Sequence, residues 1–134
     1  MIESENFLLE LSPSVYEEDF SSPVNIRLGI KVSSYGFSAD SVMDTGIREM
    51  TDFVMQLKEM YEKLNGSAEL SEPYGISYVK FLAKAGGHIS VWGRISNKSS
   101  FGFEQELTFD NEIDQTYIKD FVYGLCSDFE KYCQ

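Results

Sequence analysis

A single imidazole, His88, would have to carry any histidine-dependent reaction in this chain. It follows Gly86 and Gly87 at the opening of a strand-like pattern, where a general base needs a nucleophile and an orienting carboxylate within reach. One sequence shows neither, so His88 reads as an exposed residue beside a turn. The only thiols, Cys126 and Cys133, lie in a stretch of helical periodicity. Seven residues of helix would separate them by roughly 10 Å along the axis, too far for a disulfide. Reduced thiols packed on the buried face of a helix are the expectation. Asp110, Glu112 and Asp114 imitate the opening of a calcium loop, yet Gln115 stands where that loop requires glycine and Phe121 where it requires glutamate. Asp114 reads instead as the cap of a helix beginning there. No cysteine and histidine spacing suits zinc. Gly86 and Gly87 lack the following helix and lysine-serine pair of a phosphate loop. Neither a metal nor a cofactor is expected.

The elements that must position these residues follow from periodicity. Val24, Ile26, Leu28, Ile30 and Val32 alternate with Asn25, Arg27, Gly29 and Lys31, which predicts a strand with one buried face. Phe7, Leu9 and Leu11 make a shorter strand before Pro13, and Tyr16 to Ser22 connects the two. From Asp44 the period changes: Ile47, Met50, Phe53, Val54, Leu57, Tyr61 and Leu64 recur at helical steps, with Asp44 or Thr45 as cap, Gly66 as stop and Met55 on the wet side. Four strands are expected next, over 67–72, 76–84, 88–96 and 101–109, separated by turn residues. In the last of them Phe101, Phe103, Leu107 and Phe109 should face inward, with Gln105, while Glu104 and Glu106 face out. A second helix from Asp114 carries Ile118, Phe121, Val122, Leu125, Phe129 and Tyr132. The expected fold is α+β: a largely antiparallel sheet of about six strands with two helices packed on one face, in the order ββαββββα. With 134 residues, 43% of them apolar, the chain is expected to form one domain over 1–134 with a core of its own.

Charge narrows the class of partner. There are 22 acidic against 11 basic residues, a formal net charge of -11. Residues 1–22 hold six acids and no base, and 101–134 hold eight acids and two bases. Such a surface repels nucleic-acid backbones and anionic membranes and favours encounter with a basic partner. No apolar run approaches the ~18 residues of a membrane span. Glu3 and Glu5 ahead of Phe7 do not make a secretory signal, so a cytoplasmic location is expected. On the polar side of its strand, Trp92 shares register with His88 and Arg94. Tryptophan and arginine are frequent interface anchors, although a tryptophan is as often buried over a second layer of core.

The C-terminal half resembles a family of small bacterial proteins, the WapI-type immunity proteins. The likeness is carried by Leu64 to Ala68 at the helix-to-strand junction and by Gly87 to Gly93 in the hairpin strand. Leu107, Thr108 and Phe109 add to it, as do Asp114, Gln115 and Thr116 running into Ile118, Phe121 and Leu125. The span from Leu64 to Leu125 takes part, about half the chain. The resemblance implies the antidote half of a polymorphic toxin system, a non-enzymatic inhibitor that binds a cognate toxin domain; a monomer without a cofactor is expected.

A toxin acting on nucleic acid would present a basic site to this acidic chain. The residues expected to meet it are Glu17, Glu18 and Asp19 of the first connection, Glu104 and Glu106 of the last strand, and Trp92 with Arg94 as anchors. A second reading is a small-ligand protein or an enzyme with a cavity between sheet and helices, using His88 and a carboxylate. Abundant acids and scarce catalytic groups favour the first.

Overall fold

The computed structural model describes residues 1–19 and 21–133. Strands β1 (Ile2–Ser4), β2 (Phe7–Val15), β3 (Ile26–Ser34) and β4 (Phe37–Thr45) form one antiparallel sheet in chain order. Helix α1 (Ile47–Lys63) leads to a second, β5 (Ser67–Ser71), β6 (Tyr78–Ala83), β7 (His88–Lys98) and β8 (Glu104–Asp114), again in chain order. Helix α2 (Lys119–Asp128) follows, between 3-10 turns at Gln115–Tyr117 and Glu130–Tyr132. The class is α+β and antiparallel, as the patterning predicts. The count is corrected: eight strands in two sheets among the described residues, ββββαββββα, in place of about six in one.

The two additional strands leave no alternating apolar signal. β1 is three residues long. The inward positions of β4 are Ala39, Ser41, Met43 and Thr45, of which only Met43 is a large apolar residue, while Val42 points outward and is 37% exposed. By contrast Ile26, Leu28, Ile30 and Val32 of β3 are all at most 1% exposed, which is the one-sided burial their period announces. β2 runs past Pro13 for a geometric reason. The Tyr16 amide donates to the Asn25 carbonyl at 3.1 Å, so by alternation the even-numbered amides of β2 point at β3. The donor that Pro13 lacks would face the other edge, where pairing with β1 has ended at Leu9.

Helix α1 buries Ile47, Met50, Phe53, Val54 and Leu57 and leaves Met55 exposed, as its period predicts. Its ends differ from expectation. Asp44 and Thr45 finish β4, and the N-cap is Gly46, whose side chain can supply no acceptor. Asn25, buried although its position in the alternation placed it among polar residues, takes over the capping role. Its Oδ1 accepts the Ile47 amide at 2.6 Å, and its Nδ2 donates to the Asp19 carbonyl at 3.0 Å. At the C-terminus Leu64 itself adopts the left-handed conformation, φ 52°. Across the helix, Gln56 Oε1 accepts the Glu69 amide at 3.2 Å, covering the outer edge of β5.

Buried apolar residues from both sheets and both helices form one cluster. Phe81 of β6 meets Phe53 of α1 and Phe121 of α2, with ring centroids 5.9 and 6.0 Å apart. Phe7 and Phe109 join the two sheets at 5.9 Å. Gly93 is required where it stands, because a Cβ there would lie 2.5 Å from the Tyr78 carbonyl oxygen and 2.8 Å from the Phe109 ring. Phe101 and Phe103 are not inward: β8 begins at Glu104, and the two rings sit in the preceding turn, 86% and 70% exposed.

Asp114 is likewise corrected. It closes β8 and caps the 3-10 turn, accepting the Thr116 amide at 3.0 Å, five residues before the first residue of α2. Those hydrogen bonds from Thr116 hold its carboxyl below the usual aspartate range, with His88 nearby contributing in the same direction. A depressed carboxylate stabilises the fold above its unfolded pKa, and that contribution is lost as pH falls through the folded value. Asp114→Ala should therefore lower Tm modestly at pH 7, and the difference from wild type should vanish in acid below the folded value. A difference independent of pH would contradict the capping role.

The thiols also part company. Cys126 lies in α2 and Cys133 beyond the Glu130–Tyr132 turn, both free and half-buried. Burial is the main cause pushing both thiols up. Among the described residues, no helix is long and apolar enough to cross a membrane.

Candidate functional site

The outer face of the second sheet collects the charged residues that alternation turns away from the core. Along β8 it presents Glu104, Glu106, Asp110, Glu112 and Asp114, a carboxylate stripe interrupted only by Thr108. The neighbouring strands answer part of it. Arg94 Nη2 lies 2.8 Å from Glu106, Lys98 Nζ 3.8 Å from Glu104, Lys84 Nζ 3.4 Å from Glu112, and His88 Nδ1 3.5 Å from the same Glu112. The hydrogen bond to Glu106 raises the Arg94 guanidinium pKa further. Trp92 is half-buried in this face, with Lys80 and Asp110 as its cross-strand neighbours. Of the residues singled out in the sequence, Trp92, Arg94, Glu104 and Glu106 thus share one surface. Asp110, Glu112 and Asp114 extend it, with the same parity as Glu104 and Glu106.

Glu17, Glu18 and Asp19 are exposed on the connection between β2 and β3, and their contacts lead elsewhere. Glu18 Oε1 accepts from Lys131 Nζ at 2.9 Å and from the Tyr132 hydroxyl at 2.7 Å. Those hydrogen bonds, and the charge of Lys131, hold its carboxyl below the usual glutamate range. Asp19 Oδ1 accepts the Ser21 hydroxyl at 2.6 Å and the Ser21 amide at 2.9 Å, with the same downward effect. Glu18 is thus tied to the C-terminal residues, and Asp19 also supplies the carbonyl that orients Asn25.

Two grooves complete the surface. One, of about 560 Å³, runs between α1 and α2 past Val54, Met55, Lys58, Cys126 and Cys133. The other, of about 450 Å³, lies between the outer edges of β4 and β8. Ile95 and Leu107 line its apolar side, Asn97 reaches across it to Ser41 Oγ at 2.8 Å, and Phe37, 70% exposed, lines it from β4. Asp40 and Glu106 are its charged lining residues. Sequence reasoning missed this groove because it missed β4. Phe37 after the Tyr35–Gly36 turn, both with positive φ, was the available signal. His88, the expected centre of a catalytic alternative, stands half-exposed over Glu112 on the outer face. The space between α1, α2 and the second sheet is filled by Phe53, Phe81 and Phe121. Among the described residues, no group of three or more His, Cys, Asp or Glu is placed to hold a metal ion.

Exposed acids, cross-strand ion pairs and two grooves thus make up this surface. The Immunity protein WapI-like family matches residues 1–133, and the chain belongs to that family. The likeness first visible from Leu64 to Leu125 therefore spans both sheets and both helices. No curated protein and no solved structure matches the chain.

Proposed function

We propose that this protein is a non-enzymatic immunity protein that binds a cognate toxin domain in the cytoplasm, as a monomeric single domain, and blocks its action. Membership of the immunity family carries this reading, and the β8 carboxylate stripe supports the finer part of it. A chain of net charge -11 attracts a basic surface at long range. Many toxin domains that cut or modify nucleic acid carry such a surface, and covering it removes the substrate's landing site. Glu104 and Glu106 steer the encounter, and Arg94 and Trp92 beside them supply closer contacts. Glu17, Glu18 and Asp19 add to the field, Glu18 while hydrogen-bonded to Lys131 and Tyr132 and Asp19 while hydrogen-bonded to Ser21.

The double substitution Glu104→Lys and Glu106→Lys tests the electrostatic part. It replaces two exposed ion pairs, which contribute little to stability, so the fold should persist. Association with the toxin domain should slow roughly 10-fold at low salt, with the gap narrowing as salt screens the field. Cells expressing the toxin should be less well protected. Unchanged association at every salt concentration, with full protection, would remove this stripe from the interface.

A further inference from the structure

β4 and β8 each pair on one side only, and their other edges face the same groove. The Asp44 amide of β4 donates to Glu72 Oε2 at 3.1 Å, away from β3, so by alternation the amides of Ser38, Asp40 and Val42 also point away from β3. On β8, the Phe103 carbonyl accepts from the Ser99 amide of the adjoining strand at 2.8 Å. The backbone groups of Glu104, Glu106 and Thr108 therefore point outward. Two strand edges with outward donors and acceptors thus border one groove, a ready template for a further strand. Phe37 stands at the groove, and Phe103 continues the β8 row of Gln105 and Leu107 beyond it, both rings 70% exposed. Large rings left in water beside an open edge are the mark of an interaction surface.

We infer that this groove takes an extended segment of the toxin domain, which adds a strand along the β4 or β8 edge, seats apolar side chains against Phe37, Leu107 and Phe103, and points a basic side chain at Asp40. This rests on the immunity reading and says where and by what backbone mode it acts. Charge selects the occupant. The two charged residues lining the groove are both acidic: Glu106 is engaged with Arg94 at 2.8 Å, and Asp40, with Lys31 opposite it in the ladder, makes no ion pair with a described residue and is left to meet a basic side chain. A second copy of this chain would bring another net charge of -11 to the same place.

The test uses this protein and its cognate toxin domain, to be sought in the adjoining reading frame and inactivated by substitution in its own active site. Amide hydrogen exchange should show the Ser38, Asp40 and Glu106 amides exchanging fast in the free protein and protected in the complex. Ser38→Pro removes an outward donor without touching the β3 ladder, and Phe37→Ser with Phe103→Ser removes the exposed rings. Each variant should keep its fold by circular dichroism and raise Kd on the order of 30-fold. Wild-type affinity in both variants, with protection elsewhere, would overturn the groove while leaving the immunity reading intact. Absence of binding by the wild-type protein would overturn both, and a toxin-free dimer with protected edges would assign the groove to a second copy and overturn the inference.

Discussion

Phe81→Ala is expected to destabilise the fold by about 3–5 kcal/mol, the range for emptying a fully buried aromatic site. Phe81 is 0% exposed in β6, between Ala68 of β5 and Val91 of β7. Its ring also meets Phe53 of α1 and Phe121 of α2. One side chain therefore ties the second sheet to both helices, and neither helix can collapse into the space without leaving its own sheet contacts. Against a total stability of about 5–15 kcal/mol, such a loss moves the urea midpoint far to the left. Phe101→Ala, at an 86% exposed site, should stay within about 0.5 kcal/mol of wild type. Comparable midpoints for the two variants would contradict the packing described for Phe81.

The second large effect is expected at a polar residue. Asn25 is 1% exposed and bridges three segments: its Oδ1 caps α1 through the Ile47 amide, and its Nδ2 satisfies the Asp19 carbonyl. Asn25→Ala removes a helix cap and leaves those partners without their bonds, at a cost of about 2–3 kcal/mol. Asn25→Asp retains an acceptor for Ile47 but no donor for Asp19, so its stability should fall between the two. Chemical denaturation of the three proteins orders them. An alanine variant as stable as wild type would mean that the cap is not made by Asn25.

What the sequence makes legible here is burial with a period. β3 and α1 each bury one face, so Ile26 to Val32 and Ile47 to Leu57 announce themselves two and three-to-four residues at a time. β4 buries small and polar side chains, so its period is present in space and absent in hydropathy. The cap of α1 is also invisible locally, because Asn25 comes from a point in the chain 22 residues before Ile47. Phe101 and Phe103 share parity with Leu107 and Phe109, yet parity does not say where a sheet stops, and the hairpin turns before them. The split into two sheets has the same character. Whether β4 and β8 pair with each other is decided by the packing of distant strands, not by either strand's residues.

The candidate surface divides along the same lines. Outward alternation in β8 identifies Glu104 and Glu106, and the Arg94 contact follows from cross-strand register. The remaining members, Asp110, Glu112 and Asp114, lie beyond the expected end of that strand at Phe109, and only its continuation to Asp114 places them on the same face. Charge counting finds Glu17, Glu18 and Asp19 but not what they touch, and the ties of Glu18 to Lys131 and Tyr132 and of Asp19 to Ser21 give those two a structural task.

The central claim, that this chain neutralises a toxin by binding it, is tested most directly by calorimetric titration of the purified protein with the inactivated toxin domain of the adjoining reading frame, paired with an activity assay of the active domain. The expected result is a saturable 1:1 complex, with toxin activity falling in proportion to the fraction bound. Full toxin activity at saturating concentrations of this protein, with no heat of binding, would contradict it.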